Sequence, residues 1–370
     1  MIAPNIQQEI LNLLIDLIRI PSTESRPDEI HRCSAFIASW LQKQGIKHKL
    51  EVHNSTPSLL VMPQKSKTRV LLMSHFDVVE VDNTSQFNPY EQDGRLYGRG
   101  SIDDKYAVAL SLVLFREHLR RLERDGYSQD DICFGLLLTG DEEVGGTNGA
   151  GKIVNNLDTE YFIALDGGNP GHIVTKEKGV IALHLEARGK AAHAARPWLG
   201  KSAFDVLIGD YHRIQQLFTR QTDDHWHRTM VLANCHAGNG STNIIPEQAT
   251  ATLNIRYTEN DDPEKLVEEI KACTTSEVIL DALDPVFDSG PSPYLDLLVK
   301  HSGGAGVGFE HGASDAKFFS INGIPGAIWG AQGNMSQHTE NEHIEIKSLN
   351  MVYDCLEQFL MEIQLQQEIC

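Results

Sequence analysis

The first half of the chain alternates between segments of helical periodicity and segments of strand periodicity. Apolar residues at helical spacing predict helices at residues 5–18, 29–44 and 105–123, and a shorter helical stretch near residues 149–155. Apolar runs predict strands at residues 58–62, 69–73, 132–138 and 161–164. Strands that alternate with helices favour an α/β fold, in which helices cover both faces of a central sheet.

The pattern changes near Gly179, where the strands become half exposed. The segments VIALHLEARGK and ATATLNIRYT alternate apolar and other residues, and EVILDAL reads as a third strand. Helical spacing in SAFDVLIGDYHRIQQLF and DDPEKLVEEIKACTT separates these strands. This order predicts a small two-layer α+β unit. We therefore predict an inserted domain, residues 177–284, that interrupts a larger domain formed by residues 1–176 and 285–370.

Composition narrows the class of protein. With 370 residues the chain suits two domains, and a net charge of −19 disfavours a nucleic acid or an anionic membrane as partner. The six cysteines are scattered without a CxxC pair, which argues against a disulfide framework and against a zinc ribbon. The N-terminal segment reads as an amphipathic helix, not as a signal peptide or a membrane span. These features predict a soluble protein of a reducing cytoplasm.

Histidine and carboxylate side chains follow the predicted strands of the larger domain. They are His75 and Asp77, Asp103 and Asp104, the run Asp141, Glu142 and Glu143, then Asp166 and, far downstream, His338. Ligand sites of α/β sheets gather beyond the carboxyl ends of the strands, so these groups are expected to meet. Histidine and carboxylate without cysteine are ligands of zinc, cobalt or manganese.

Each of these residues taken singly also has a structural interpretation. His75 could be a core histidine, Asp103 or Asp104 an N-cap, and Asp166 a turn residue before two glycines. Adjacent Glu142 and Glu143 repel each other unless a cation lies near or one of them keeps a proton. Because several buried carboxylates without a cation are very unfavourable, the set as a whole predicts a metal site.

Several segments resemble the zinc-dependent aminoacylase and carboxypeptidase family, which includes acetylornithine deacetylase, succinyl-diaminopimelate desuccinylase, glutamate carboxypeptidase and related dipeptidases. The matching segments are SHFDVV, GRGSIDDK, TGDEEVGG, GKAAHAARPWLGKSA, STNIIPEQATATLNIRYT, HGASDAKFF and SQHTENEHI, in unchanged order along nearly the whole chain. The resemblance implies a large α/β catalytic domain with a central mixed sheet flanked by helices. The insert would then be a lid and dimerisation domain.

The resemblance also implies roles for the strand-end residues. His75 and Asp166 would complete one divalent metal site and Glu143 and His338 a second, with Asp103 shared between the two metals. Both ions would most simply be zinc, with cobalt or manganese as alternatives. Asp77 would orient the imidazole of His75.

Glu142 would not be a ligand in this scheme. It would be the general base that takes a proton from a metal-activated water and passes it to the leaving nitrogen. The bond between Asp103 and Asp104 resembles a position where members of the family have a cis peptide, so a cis bond is predicted here.

Residues of the insert and of a later segment would meet the substrate. By resemblance, His193 would reach the active site of a partner subunit in a homodimer and stabilise the developing oxyanion; otherwise it is a surface-loop histidine. Asn243 and Arg256 would contact substrate, with Arg256 suited to clasp a carboxylate, although an exposed strand arginine paired with an acid is an equal alternative. Ser314 and the adjacent glycines could line a carboxylate pocket.

The sequence departs from the family pattern at a few positions, and none of them removes a ligand or the base. Tyr106 stands where a small residue is usual, and either narrows the site or packs into its helix. His311 and His343 are additional histidines outside the expected ligand positions.

The sequence thus predicts a di-metal hydrolase that cleaves the amide bond of an N-acyl amino acid or short peptide. The alternatives within the same family are a deacetylase, a desuccinylase, a small carboxypeptidase or a dipeptidase. From another class, a non-catalytic metal-binding relative would be expected to lose Glu142. The stretch GGAGVGFEHG lacks the lysine and the strand-to-helix context of a phosphate loop.

Overall fold

The computed structural model describes residues 2–63, 67–167 and 169–368. The chain forms two compact units. The first comprises Met1–Thr175, Ser289–Phe309 and Ser314–Cys370, and the second comprises Lys176–Asp288 and Glu310–Ala313. The predicted insert, residues 177–284, falls inside the second unit, which also takes in residues 285–288 and the short return at 310–313.

The secondary structure of the described residues is mixed. The helices are α1 (Pro4–Ile18), α2 (Pro27–Lys43), α3 (Lys105–Arg124), α4 (Ala150–Ile153), α5 (Ala203–Gln215), α6 (Pro263–Cys273), α7 (Pro293–His301), α8 (Ala316–Ile321) and α9 (Ile346–Glu368). The strands are β1 (Lys49–His53), β2 (Thr56–Val61), β3 (Thr68–His75), β4 (Tyr90–Gln92), β5 (Arg95–Tyr97), β6 (Phe134–Thr139), β7 (Thr159–Ala164), β8 (His172–Glu177), β9 (Gly179–Arg188), β10 (Thr229–Ala237), β11 (Gln248–Tyr257), β12 (Glu277–Asp284), β13 (Phe287–Asp288), β14 (Gly306–Glu310), β15 (Gly326–Ile328) and β16 (His343–Glu345).

The first unit is built on a mixed sheet in the order β1-β2-β6-β3-β7-β15-β8. Its centre is parallel, because β3 pairs in parallel with β6 and β7, and β7 pairs in parallel with β15. The β1–β2 hairpin adds an antiparallel edge through the pairing of β2 with β6. The central mixed sheet with flanking helices confirms the predicted fold class.

Helix α3 is the central helix of this unit. Its first twelve residues, 105–116, are all buried, and the helix packs against α1 and α9. Its first residue, Lys105, is fully buried and donates from Nζ to the carbonyls of Leu17 (3.1 Å) and Ile20 (2.6 Å). These bonds satisfy the buried ammonium and fix the start of α3 against the end of α1.

The second unit contains a four-stranded antiparallel sheet in the order β10-β11-β9-β12. Burial alternates strictly along β9 and β11, so one face of each strand joins the core of this unit. Helices α5 and α6 pack on that face. Ser202 and Asp262 cap these helices by accepting bonds from the amides of Asp205 (3.2 Å) and Lys265 (3.0 Å).

Two further observations concern membrane spans and cysteine pairing. None of the helices in the described residues is long and apolar enough to cross a membrane. The cysteines within the described part are all free thiols, and Cys370 lies outside it.

Candidate metal centre

Three neighbouring parallel strands deliver the first site residues to one edge of the sheet. Strand β3 ends at His75, the turn after β6 carries Glu142 and Glu143, and Asp166 lies two residues after the end of β7. Since β3 lies between β6 and β7 and all three run in the same direction, their carboxyl ends meet. Gly168, the second glycine of the predicted turn after Asp166, lies outside the described residues.

The side chains form two groups that share one carboxylate. His75, Asp103 and Asp166 make the first group and Asp103, Glu143 and His338 the second, with one ligand atom from each residue within 4.8 Å of the others. The Nε2 atom of His75 lies 3.0 Å from Asp103 Oδ1 and 3.6 Å from Asp166 Oδ2. On the other side, Nε2 of His338 lies 3.0 Å from Asp103 Oδ2 and 3.3 Å from Glu143 Oε2. The structure thus brings all five predicted ligands together.

The electrostatics of these groups fit divalent cations. Burial raises the pKa of Asp166, and Asp103 adds to the effect. Burial also raises the pKa of Glu143, whose Oε1 is buried without a hydrogen-bond partner among the described residues. Buried carboxylates this close to one another are stabilised by cations, and the donor set of two histidines and three carboxylates is one that zinc, cobalt and manganese accept.

The pKa values of the two histidines respond to the same carboxylates. Hydrogen bonds to Asp103 and Glu143 raise the pKa of His338 to about 10. At His75 burial lowers the pKa. The charge of Asp166 and the hydrogen bond with Asp103 outweigh burial and hold the pKa well above its usual value. Each imidazole therefore lies among negatively charged carboxylates, and these carboxylates would also attract a metal cation.

Asp77 connects the first histidine to the glutamate pair. Its carboxylate Oδ1 lies 3.3 Å from His75 Nδ1, and the same carboxylate accepts bonds from the backbone amides of Glu142 (3.2 Å) and Glu143 (3.0 Å). The sequence suggested only the contact with His75. The structure shows that Asp77 also sets the position of the turn that carries both glutamates.

Glu142 lies beside the two groups but belongs to neither of them. Its Oε2 is 4.0 Å from His75 Nε2, and its side chain is 16% exposed. Burial raises the pKa of Glu142 well above its ordinary value, and the charge of Asp166 raises it further. A carboxylate with a raised pKa at the edge of such a cluster is suited to take up and release a proton.

The peptide bond between Asp103 and Asp104 is cis, as predicted. Asp104 occupies the N-cap position of α3, but its side chain makes no capping bond, so that alternative interpretation was wrong. Its Oδ2 instead accepts from the amide of His75 at 3.2 Å. Asp104 thus ties the end of β3 to the loop that carries Asp103.

Glu342 is an additional site residue that the sequence did not single out. It is buried, its Oε2 pairs with Arg99, and its Oε1 accepts from the amides of Gly100 (2.8 Å), Ile102 (3.3 Å) and Asp103 (3.4 Å). Burial raises its pKa to about 7 although Arg99 opposes the shift. Its position four residues after His338, within SQHTENEHI, was the only signal available in the sequence.

The remaining predicted site residues are described within their own units. Ser314 is buried in the first unit, where its Oγ accepts from the amide of Ala316 at 3.3 Å. In the second unit, His193 and Asn243 lie in exposed loops joined by a bond from the amide of Ala194 to the Asn243 carbonyl (2.9 Å). The Nδ1 of His193 accepts from the amide of Ala195 at 3.0 Å.

Arg256 lies on β11 in the second unit and is half-buried. Its Nε donates to Asn254 Oδ1 at 3.1 Å. Lys178 lies close enough that Arg256 adds to the effect of burial in lowering its pKa. The two additional histidines, His311 and His343, belong to neither metal group.

The fold and the paired metal groups are those of a metal-dependent hydrolase, and comparison with known proteins identifies the family. Residues 71–362 match the model of peptidase family M20/M25/M40, and the chain belongs to this family. It is 26% identical to a succinyl-diaminopimelate desuccinylase of Acinetobacter baylyi, over 96% of this chain and 99% of that protein.

Solved structures share the fold. An aminopeptidase PepT from Bacillus cereus superposes with a TM-score of 0.77 at 19% identity, covering 96% of this chain and 98% of that one. A dinuclear metal-binding peptidase of the same family from Bacillus subtilis superposes with a TM-score of 0.65 at 13% identity, covering 98% and 99%. At these identities the likeness establishes the fold, while the family match establishes a metal-dependent amide-bond hydrolase.

Proposed function

We propose that this protein is a di-metal amidohydrolase that removes the acyl group from an N-acyl amino acid or cleaves a short peptide. The observation that carries the proposal is the pair of three-residue groups that share Asp103, with Glu142 beside them. Amide hydrolysis needs an activated water, a polarised carbonyl and a group that moves a proton, and these residues can hold or supply all three.

The ligand assignment follows the two groups. His75, Asp103 and Asp166 would hold one cation, and Asp103, Glu143 and His338 the other. Two bound divalent cations, most simply zinc with cobalt or manganese as alternatives, would polarise the scissile carbonyl and lower the pKa of water. The donor set without a thiolate supports this choice of metals.

Glu142 would act as the general base and then as the general acid. Its carboxylate accepts a proton from the attacking water and returns it to the leaving nitrogen, so one group serves both half-steps. Burial and the charge of Asp166 raise the pKa of Glu142, which supports this role because a carboxyl group with a raised pKa holds the accepted proton more readily. Asp77 would hold the Glu142 turn and the His75 imidazole in fixed relation.

We propose that residues of the second unit bind substrate and complete the active site of a homodimer. His193 would donate to the developing oxyanion, and Asn243 would contact substrate from the neighbouring loop. The exposure of both loops supports this role. Ser314 of the first unit would contribute to a pocket for a carboxylate.

The proposed substrate carries a carboxylate on its acyl or amino-acid part. Arg256 can clasp a carboxylate in bidentate fashion. The similarity to a desuccinylase favours a dicarboxylic acyl group. A small carboxypeptidase or dipeptidase is the alternative with the same machinery.

A cytoplasmic location stays a prediction.

The test is hydrolysis of a mixed substrate panel by metal-loaded protein, with and without a chelator. The panel contains N-acetyl, N-succinyl and N-formyl amino acids, acyl glutamates and dipeptides. We expect chelator-sensitive cleavage of one substrate group, with the carboxylate-bearing acyl amino acids first. If two metals bind and nothing is cleaved, the non-catalytic relative replaces this proposal.

Glu142→Gln and Glu143→Gln form a matched pair for this assay. Glu142→Gln is expected to keep both metals and lower kcat by roughly a hundredfold or more, because it cannot accept a proton. Glu143→Gln is expected to lose metal, because it removes a charged ligand. Metal content by atomic absorption beside kcat separates the two effects. Metal loss in Glu142→Gln, or turnover near that of the wild type, would show that the two roles are assigned wrongly.

A further inference from the structure

The parallel ladder between β7 and β15 ends just before the metal centre. Its last paired residues are Ile328 and Ala164, followed by one bond from the amide of Trp329 to the Ala164 carbonyl at 2.9 Å. Beyond this bond, Leu165 of one segment and Ala331 of the other share no backbone hydrogen bond. Asp166, a member of the first metal group, follows Leu165 immediately.

The phenol of Tyr106 bridges the two segments at this point. Its hydroxyl donates to the carbonyl of Leu165 and accepts from the amide of Ala331 at 2.9 Å. The backbone of Gly330 leaves no further room here, since a Cβ at that position would lie 2.2 Å from the hydroxyl. The tyrosine oxygen therefore adds one more link beyond the end of the sheet.

Tyr106 also belongs to the segment that carries the shared ligand. It is the second residue of α3, three positions after Asp103. Its side chain is fully buried in the core of the first unit, so it does not narrow the site by reaching into it. Burial and the nearby Asp104 raise the pKa of Tyr106 well above its ordinary value, which keeps the donating proton in place.

We propose that the Tyr106 hydroxyl is a positioning group for the first metal group, because it links the backbone beside Asp166 to the helix that begins next to Asp103. The inference rests on the metal centre put forward under the proposed function. Groups that orient metal ligands in this way commonly change metal affinity by about ten- to a hundredfold when they are removed. Only the first group contains Asp166, the ligand next to Leu165, so the loss is expected to fall mainly on that group.

Tyr106→Phe is the direct test, because it keeps the ring and removes only the bridging oxygen. Tyr161→Phe is the matched control: Tyr161 is also fully buried and lies on β7, but its hydroxyl has no hydrogen-bond partner among the described residues. Each change is made in two backgrounds. His338→Ala isolates the first metal group, and Asp166→Ala isolates the second.

The measurement is Co²⁺ affinity from the visible absorption of the bound ion. Tyr106→Phe is expected to weaken Co²⁺ binding about tenfold in the His338→Ala background and by less than about twofold in the Asp166→Ala background. Tyr161→Phe is expected to change neither affinity.

Two results would overturn the inference. One is unchanged Co²⁺ affinity in Tyr106→Phe, and the other is an equal loss in both backgrounds that follows a drop in the thermal unfolding temperature. Absence of Co²⁺ binding to the wild-type chain would instead overturn the proposed metal centre itself, so the two failures are distinguishable. Because no step of the test uses turnover, it is independent of the unknown substrate.

Discussion

At the scale of single residues, the centre depends on buried carboxylates that serve different partners. Asp77 accepts two backbone amides and faces His75, whereas Asp103 gives one oxygen to each histidine. Asp315 is buried against Gly146 in the turn after the glutamates, and neither of its oxygens has a hydrogen-bond partner among the described residues. Burial, with a contribution from Asp141, raises the pKa of Asp315 to about 8.

Asp315 gives a prediction for stability against pH. Its pKa is higher in the folded protein than the ordinary value near 3.9, so the folded state keeps the proton to higher pH than the unfolded chain does. Its contribution to the free energy of unfolding therefore falls as the pH rises from about 4 to about 8. Asp315→Asn is expected to remove this loss of stability at high pH. Between pH 5 and pH 8, the free energy of unfolding of the metal-free variant should therefore gain on the order of 2 kcal/mol relative to that of the wild type.

The measurement is urea unfolding of metal-free wild type and variant at pH 5 and pH 8. Asp93→Asn is the control, because Asp93 is exposed in a turn with positive φ, which asparagine also adopts readily. The control is expected to follow the wild type at both pH values. A parallel dependence on pH for Asp315→Asn and wild type would contradict the prediction.

At the scale of elements, the loop before α3 is held by a residue far away in the chain. Glu342, just before β16, accepts amides of Gly100, Ile102 and Asp103 and pairs with Arg99. The amide of Gly98 also donates to the Glu342 carbonyl at 3.0 Å. The loops that carry Asp103 and His338 are therefore held to each other.

Glu342→Ala is expected to destabilise the protein by about 3–5 kcal/mol, because it leaves the buried guanidinium of Arg99 and several amides without their acceptor. Glu342→Gln keeps an acceptor and is expected to cost less. Glu340→Ala, an exposed neighbour in the same segment, is the control and should lie within about 0.5 kcal/mol of wild type. Chemical unfolding measures all three, and a loss in Glu342→Ala no larger than in the control would refute this role.

The same scale shows what the sequence could predict. Amphipathic periodicity predicted α1, α2 and α3 to within two residues at either end, because a long apolar face is a strong signal. The helical stretch predicted near residues 149–155 contains only a four-residue helix, α4, followed by a 3₁₀ turn. Strand β1 was not predicted, because its residues are mostly exposed and carry little apolar pattern.

The site was predictable only where its residues follow strands or match family segments. His75 is the last residue of β3, and Glu143 and Asp166 follow β6 and β7 within four residues, so their meeting follows from the parallel pairing of β6, β3 and β7. Glu342 contacts residues about 240 positions away, a distance over which local periodicity carries no information. The bridge made by Tyr106 depends equally on long-range contacts, which is why its two interpretations stayed open at the sequence level.

At the scale of the whole molecule, bound metals are expected to contribute to stability. A ligand that binds only the folded state stabilises it by an amount that grows with the logarithm of its concentration, about 4 kcal/mol at a thousand times the dissociation constant. The five proposed ligands come from distant parts of the chain, so the unfolded protein cannot hold them together.

Chelation is therefore expected to lower the thermal unfolding temperature of the wild type, and added zinc or cobalt to restore it. Glu142→Gln should show the same shift, because it keeps every proposed ligand. His338→Ala should show a smaller one, because it loses part of the second group. Differential scanning calorimetry with and without chelator measures these shifts. A wild-type unfolding temperature that does not change with metal would argue against the metal centre.

The shared carboxylate of Asp103 has a consequence for metal loading. Because Oδ1 faces the His75 side and Oδ2 the His338 side, metal binding at the two proposed sites would be thermodynamically linked. The factor by which the first cation changes the affinity for the second equals the factor in the reverse order. Two intrinsic affinities and one coupling constant therefore describe metal loading. The coupling constant determines how a single equivalent of metal is distributed among empty, half-filled and filled chains.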